Sequence, residues 1–160
     1  MDDWDTRIDA VWADDALTDA ERIVRIDALA AERSDDDARA LFERAGARDS
    51  AGIEAEAEVL YRRALAEGLD EEHRPQAVIQ LASTLRNLGH TDEALDMLRA
   101  ERERGGAFGD AASAFYALAL VSSGDPVRGA AIALEALAPH LPRYTRSVTG
   151  YARELVDPPR

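Results

Sequence analysis

The chain of 160 residues contains no cysteine and no lysine. The absence of cysteine excludes a disulfide, a thiol nucleophile and a thiolate zinc site. The absence of lysine excludes a Schiff-base lysine and the lysine of a phosphate-binding P-loop. All 19 basic residues are arginines, and 32 acids give a net charge of −13. Such an acidic chain lacks the basic patches that bind nucleic acid or anionic membrane, so we expect neither partner.

Long apolar runs and a signal sequence are also missing. The longest apolar run, from about Ala111 to Val121, is too short to cross a bilayer. The N-terminal MDDWDTRID is acidic and does not follow the basic-then-apolar order of a signal peptide. We therefore expect a cytoplasmic protein with a folded core, since 46% of its residues are hydrophobic. Coding bias and a high-salt cytoplasm are both open as causes of the acidic, lysine-free composition.

Residues typical of catalysis or metal binding are sparse. The three histidines, His73, His90 and His140, do not form the i, i+4 pair of a helical metal site and are interpreted as solvated turn residues. The glycines around Gly105 follow a predicted helix and not a strand, so they are interpreted as a linker. We therefore predict no catalytic residue, no metal, no cofactor and no enzymatic activity.

The stretch from Gln76 to Glu103 has the clearest internal pattern. Its first half has an apolar helix face formed by Val78, Leu81, Ala82 and Leu85. Gly89 ends this helix as a residue that adopts the left-handed conformation easily. Thr91 is predicted to cap a second helix, in which Ala94 and Leu98 share a face. The stretch therefore predicts two antiparallel helices joined by a tight turn.

The same pattern recurs along the chain. Ser113-x2-Tyr116-Ala117-x2-Leu120 repeats the first-helix spacing, and the turn glycines Gly52, Gly89 and Gly124 are 37 and 35 residues apart. This arrangement resembles the tetratricopeptide repeat, a helix–turn–helix unit of 34 residues with small residues where its helices cross. The segments FERAGARDSAG, EAEVLYRRAL and QLASTLRNLG are similar to small bacterial domains of this family.

The resemblance implies an all-α fold, a right-handed α-solenoid of antiparallel helix hairpins with about nine helices. We expect a single domain that comprises an N-terminal hairpin (1–33), three repeats (34–140; about 35–68, 71–106 and 110–139) and a C-terminal capping helix with a tail (141–160). The first repeat is degenerate, because Arg44 and Arg48 fall where large apolar residues are expected. Its register is defined only to within about one residue.

Helix boundaries outside the central repeat follow from local signals. Thr18 and Glu21 form a capping box, and Asp125-Pro126 is an N-cap followed by proline. Ser34 and Asp110 are predicted to begin two further helices. Trp4 and Trp12 lie on one predicted helix face and are interpreted as core residues. The last helix is predicted from about Pro142 to Val156, and its apolar stripe comprises Tyr144, Val148, Tyr151, Ala152 and Leu155.

Proteins with these repeats are typically adaptors that hold a peptide or a partner's helix in a concave groove. The resemblance therefore implies a non-enzymatic interaction module with a protein or peptide partner. It places the groove at Arg39, Phe42, Gly46, Gln76, Ile79, Ser83, Arg86 and Asn87, and at Ala111, Ala114, Leu118 and Ser122 of the third repeat. The carboxylate-clamp variety has Lys and Asn where this chain has Phe42, Gly46, Ile79 and Ser83, so chaperone-tail binding is not expected.

A second hypothesis is self-association, with a homo-oligomer as the functional unit. Residues 1–40 contain 13 acids and 5 arginines (net −8), whereas residues 139–160 contain 4 arginines and 2 acids (net +2). Ends of opposite charge would attract each other, and the solution mass would then depend on salt. A third hypothesis is an enzyme or regulator of a class that the sequence does not reveal.

Overall fold

The computed structural model describes residues 3–158, which are almost entirely helical and contain no strand. In this range the all-α prediction is confirmed. The helices are α1 (Asp3–Trp12), α2 (Asp19–Ala30), α3 (Ala38–Ser50), α4 (Glu54–Glu67), α5 (His73–Asn87), α6 (Thr91–Arg104), α7 (Gly109–Ser122), α8 (Pro126–Leu137) and α9 (Thr145–Val156), with a 3-10 turn at Ala138–His140. None of the helices within residues 3–158 is long and apolar enough to cross a membrane.

The chain divides into two compact units, one ending at Thr84 and the other beginning at Leu85. In the first unit, consecutive helices form antiparallel hairpins. The Trp4 indole N–H, near the start of α1, donates to the Leu29 carbonyl near the end of α2 at 2.8 Å. Arg48, near the end of α3, pairs with Glu56 near the start of α4 at 3.1 Å. These contacts show that α1 and α2 run antiparallel, as do α3 and α4.

The core of the first unit begins at α1 and α2. Its buried residues are Trp4, Ile8, Val11, Ile26, Ala30, Ala40 and Ala47. Their spacing of three and four residues places them on one face of each helix. The alanines from α3 allow close approach of that helix, so the large side chains of α1 and α2 fill the space between the helices. The Trp4 prediction is confirmed, whereas Trp12 is only partly buried against this cluster.

Arg44 and Arg48, which stand where the first repeat is expected to have large apolar residues, form a cluster of ion pairs. The Arg48 guanidinium donates to Asp27 Oδ1 and Oδ2 at 3.0 and 2.9 Å and to Glu56 at 3.1 Å. Arg44 donates to Asp27 at 3.1 Å. This cluster connects α2, α3 and α4 at a position where the repeat pattern calls for apolar contacts.

In the second unit α6, α7, α8 and α9 pack in chain order. Arg102, late in α6, donates to the hydroxyl of Ser113 early in α7 at 3.2 Å. Gly129 lets α8 approach α7 closely, because a Cβ at this position would lie 2.8 Å from the Ala117 carbonyl oxygen. Ala152 is the buried residue of α9.

Three turns share one backbone geometry. The N–H groups of Ile53, His90 and Asp125 donate to carbonyls five residues earlier at 2.8, 2.8 and 2.9 Å. This bond is the signature of a Schellman turn, which needs a left-handed residue just before the donor. Gly89 and Gly124 supply that residue with φ of 87° and 91°. The predicted role of the turn glycines is confirmed.

The predicted caps are correct at some helices and wrong at others. The capping box at Thr18 and the side-chain cap at Asp125 are confirmed. Thr91 and Asp110 lie inside their helices, because the carbonyls of His90 and Phe108 already accept the first helical hydrogen bonds. Ser34 does not cap α3. Its N-cap is Asp37, whose side chain accepts from the Ala40 N–H at 2.8 Å.

The last helix begins later than predicted, at Thr145 and not at Pro142. Tyr144 precedes it with φ of 71°, a left-handed conformation that separates this residue from the helix. Tyr144, Tyr151 and Leu155 are exposed, so the predicted stripe does not form a buried face along its whole length.

Candidate functional site

A cleft of about 590 Å³ opens in the first unit. Side chains from α1, α3 and α5 form most of its wall, and Tyr61 of α4 lies at its base. The lining residues are Asp9, Trp12, Arg39, Phe42, Glu43, Gly46, Asp49, Ser50, Tyr61, Glu72, His73, Gln76 and Gln80. The cleft therefore lies between α1, α3 and the first part of α5, within the first unit.

A network around Glu43 connects α1 and α3 at one wall. The Trp12 indole N–H donates to Glu43 Oε2 at 2.5 Å. Arg39, one helical turn before Glu43, donates to Oε1 of the same carboxylate. Glu43 is buried, and both of its oxygens accept a hydrogen bond, so its charge is balanced inside the protein. The network fixes the Trp12 ring at the edge of the cleft.

A second polar cluster lies at the base of the cleft. The Tyr61 hydroxyl donates to Gln80 Oε1 at 2.5 Å and lies 3.4 Å from Asp49 Oδ2. The Thr84 hydroxyl lies 3.0 Å from Asp49 Oδ1. Burial raises the pKa of the Asp49 carboxyl, although the hydrogen bonds from Thr84 and Tyr61 oppose that shift. Burial also raises the pKa of Tyr61. The phenol therefore stays protonated, as a donor requires.

Aromatic contacts form the wall between α3 and α5. The Phe42 ring meets the His73 ring edge-on at 5.8 Å between centroids, and the Tyr61 ring at 6.1 Å. The Asp70 carboxylate caps α5 by accepting from the His73 backbone N–H at 2.8 Å, and it also lies 2.8 Å from His73 Nδ1. His73 is therefore part of the wall, and its interpretation as a solvated turn residue is wrong.

Gly46 leaves the cleft open on the α3 side. A Cβ at this position would lie 3.4 Å from Trp12 Cζ2 and 3.8 Å from the Tyr61 hydroxyl. A larger side chain would extend beyond the Cβ into the space between these two rings. The absence of a side chain at Gly46 therefore contributes directly to the cleft volume.

The residues assigned to the groove from the sequence fall in different places. Arg39, Phe42, Gly46 and Gln76 line the cleft. Ile79 is buried, with 5% exposed, and Ser83 is partly buried. Neither of these two residues lines the cleft.

The other residues assigned to the groove lie in the second unit, namely Arg86, Asn87, Ala111, Ala114, Leu118 and Ser122. Arg86 donates to the side-chain oxygen of its neighbour Asn87 at 3.0 Å. Leu118 on α7 is 47% exposed. The cleft of the first unit is therefore formed without them.

Sequence reasoning missed Trp12, Glu43, Asp49, Tyr61, His73 and Gln80 as cleft residues. The position of Trp12 could have indicated a cleft residue. It lies at the end of the apolar stripe of α1, where a side chain can be partly buried by the core and partly exposed to solvent. No local signal marks Glu43 or Asp49, which resemble solvated acids in the sequence. The described part of the chain has no group of three or more His, Asp or Glu side chains placed to hold a metal ion.

No curated protein and no solved structure matches this chain. A family model described as Tetratrico peptide repeat matches residues 38–155. The match begins at the first residue of α3 and ends within α9, so it includes the six helices α3 to α8 and most of the last helix. Since it covers well over half of the chain, the protein belongs to the tetratricopeptide repeat family.

Proposed function

We propose that the protein is a non-catalytic interaction module that binds a peptide segment or a helix of a partner protein in the cleft between α1, α3 and α5. Tetratricopeptide repeats commonly mediate protein–protein interactions. The observation that carries the proposal is the cleft itself, with aromatic walls and fixed polar groups at its base. Such a site fits recognition of an extended peptide or of one helix face.

The polar groups of the cleft are already positioned before a ligand arrives. Glu43 is held by Arg39 and Trp12, and Asp49 lies within hydrogen-bonding distance of Tyr61 and Thr84. Binding therefore requires little further ordering of these side chains, which lowers its entropic cost. The Trp12 and Phe42 rings offer apolar area to a bound side chain.

The charge of the cleft favours a basic ligand residue. Asp9, Glu43, Asp49 and Glu72 line it, whereas Arg39 is the one arginine in the lining and already pairs with Glu43. Asp9 and Glu72 are exposed at the rim, where they can meet an incoming cation. We therefore expect the preferred peptides to carry an arginine or a lysine next to an apolar residue.

The test starts from a random peptide library displayed on phage and selected on the whole protein. Synthetic versions of the enriched peptides are then titrated by fluorescence anisotropy. The informative variant is Gly46→Leu, which fills the cleft beside Trp12. We expect it to weaken binding about tenfold or more, because the side chain occupies the ligand's space.

Gly150→Leu is the matched control. Gly150 is also inside a helix, but a Cβ there would meet nothing within 4 Å. Both substitutions replace a helical glycine by leucine, so both raise the helix propensity at the substituted position by a similar amount. A difference in peptide binding between the two variants then reports on the cleft. The proposal fails if no peptide is enriched, or if Gly46→Leu binds the enriched peptides as tightly as Gly150→Leu.

A further inference from the structure

Two acids lie in the cleft below its exposed rim, and their charges are balanced differently. Glu43 accepts a hydrogen bond at each carboxylate oxygen, and one of the donors is the Arg39 guanidinium. Asp49 contacts two neutral hydroxyls and pairs with no arginine or histidine among the described residues. Burial raises the pKa of its carboxyl, and the neighbouring charge that adds to this shift is another acid, Glu54. No positive charge within residues 3–158 therefore neutralises Asp49.

Asp49 also has fewer donors than its two oxygens can accept. The Tyr61 hydroxyl lies 3.4 Å from Asp49 Oδ2, but it donates its proton to Gln80 Oε1 at 2.5 Å. The Thr84 hydroxyl lies 3.0 Å from Asp49 Oδ1 and also 3.0 Å from the Gln80 carbonyl oxygen, and a hydroxyl has only one proton to donate. Oδ2 therefore receives no short hydrogen bond from the described residues, although buried polar atoms are usually paired.

Gly46 leaves a path along α3 to this carboxylate. Gly46 and Asp49 are three residues apart, so they lie on one face of the helix, about 4.5 Å apart along its axis. Trp12 and Tyr61 border this path, because a Cβ at Gly46 would lie 3.4 Å from Trp12 Cζ2 and 3.8 Å from the Tyr61 hydroxyl. An unbranched alkyl chain can lie over the glycine between these two side chains, and a polar group at its end then reaches Asp49.

The surroundings of Asp49 suit an ammonium group better than a guanidinium. A guanidinium binds a carboxylate best through two parallel hydrogen bonds, one to each oxygen, but Oδ1 already has Thr84 as a neighbour. A guanidinium also stacks on aromatic faces. One face of the Trp12 ring and one of the Phe42 ring already meet an arginine of the chain, at 5.6 and 5.7 Å. A compact ammonium needs neither both oxygens nor a ring face.

We propose that Asp49 binds the side-chain ammonium of a lysine in the peptide, with the lysine's alkyl stem lying over Gly46 between Trp12 and Tyr61. This inference rests on the proposed peptide binding and narrows the basic ligand residue to lysine. The ammonium supplies the positive charge and the donors that the chain does not give to Asp49. Hydrogen bonds between charged groups are the stronger class, and the partly buried base of the cleft strengthens them further.

A carboxylate that binds a ligand and one that stabilises the fold respond differently when they are neutralised. If Asp49 stabilised the fold, Asp49→Asn would lower the urea concentration at the unfolding midpoint. A half-buried charge without a cationic partner instead destabilises the ligand-free protein. We therefore expect Asp49→Asn to unfold at the same or a higher urea concentration than the wild type, and yet to lose affinity for lysine.

The experiment is an NMR titration of the whole chain with one capped residue, Nα-acetyl-lysine methylamide, at neutral pH and constant ionic strength. The Trp12 indole N–H signal reports binding, and we expect a dissociation constant on the order of 1 mM. The norleucine counterpart keeps the alkyl stem without the charge and should bind about tenfold more weakly or worse. The arginine counterpart keeps the charge and should also bind more weakly than lysine.

The protein variants test the carboxylate itself. Asp49→Asn should weaken binding of the lysine probe about tenfold or more. The matched control is Asp3→Asn, which makes the same change in the first unit at a residue outside the cleft lining and should bind like the wild type. The proposal is overturned if Asp49→Asn binds like this control, or if norleucine or arginine binds as tightly as lysine. It is also overturned if the lysine probe leaves the Trp12 signal unmoved up to about 50 mM.

These outcomes are separate from those that test peptide binding. Selected peptides that bind the wild type more tightly than Gly46→Leu, together with a lysine probe that does not bind, would keep the peptide function and overturn the role of Asp49. A lysine probe that binds through Asp49, together with a selection that enriches no peptide, would keep the lysine site and overturn the peptide function.

Discussion

The ion pair between Asp27 and Arg48 gives the most specific prediction about stability. Arg48 is 9% exposed and donates two hydrogen bonds to Asp27, with Glu56 as its other acidic partner. Removing the Asp27 charge by Asp27→Asn leaves a buried guanidinium with an incomplete set of acceptors. Breaking a fully buried pair costs about 3–5 kcal/mol, and we expect about 2 kcal/mol here, because the Asp27 side chain is one-third exposed.

Urea unfolding at neutral pH provides the measurement. Trp4 and Trp12, the two tryptophans of the chain, both lie in the first unit, so their fluorescence reports on the unit that contains the ion pair. The matched control is Asp3→Asn, which removes an exposed partner of Arg7 in the same unit and should change little. An Asp27→Asn loss no larger than that of the control would refute the reasoning.

The pH dependence follows from the same contact. Burial would raise the pKa of Asp27, but the hydrogen bonds and charges of Arg48 and Arg44 outweigh it and lower that pKa below its usual 3.8. The stabilisation is therefore present above the unfolded-state pKa and is lost as the pH falls through the folded-state pKa. Between neutral pH and pH 3, the gap in unfolding free energy between wild type and Asp27→Asn should narrow.

Three further predictions concern other parts of the chain. Gly129→Ala should destabilise the protein by about 1–3 kcal/mol through its clash with α7, whereas Gly150→Ala should stabilise it by about 1 kcal/mol; thermal unfolding compares them. Burial raises the pKa of Asp49, so its contribution to stability falls as the pH rises through the folded-state pKa. Asp49→Asn should therefore improve stability relative to wild type at pH 7 more than at pH 4, and equal changes in urea unfolding at both pH values would contradict this. Truncation before Pro142 removes α9 with its buried Ala152 and should lower the melting temperature or cause aggregation; unchanged melting would show that α9 does not cap the repeats.

The helical repeats could be predicted because their signals are local. Gly89 and Gly124 fix the turns by a backbone conformation that few other residues adopt, and Thr18 and Asp125 cap their helices with their own side chains. The sequence did not predict the first residue of a helix correctly where the preceding turn determines it. Thr91, for example, has the chemistry of a cap, but the turn before it starts the helix one residue earlier.

The cleft could be predicted only in part. Arg39, Phe42 and Gln76 follow from their positions on first helices, whereas Glu43 becomes a cleft residue through Trp12, which is 31 residues away. Such a contact depends on how α1 packs against α3, and no periodicity within one helix encodes it. Arg48 shows the same limit, because its acidic partner lies on a different helix.

The two indole N–H groups offer the most direct test of the cleft. The Trp12 indole donates to Glu43 in the cleft wall, and the Trp4 indole donates to Leu29 in the core. In an NMR titration with a peptide selected from the displayed library, the Trp12 indole signal should shift with the peptide concentration while the Trp4 signal stays in place. A peptide that binds without moving the Trp12 signal would contradict recognition in the cleft.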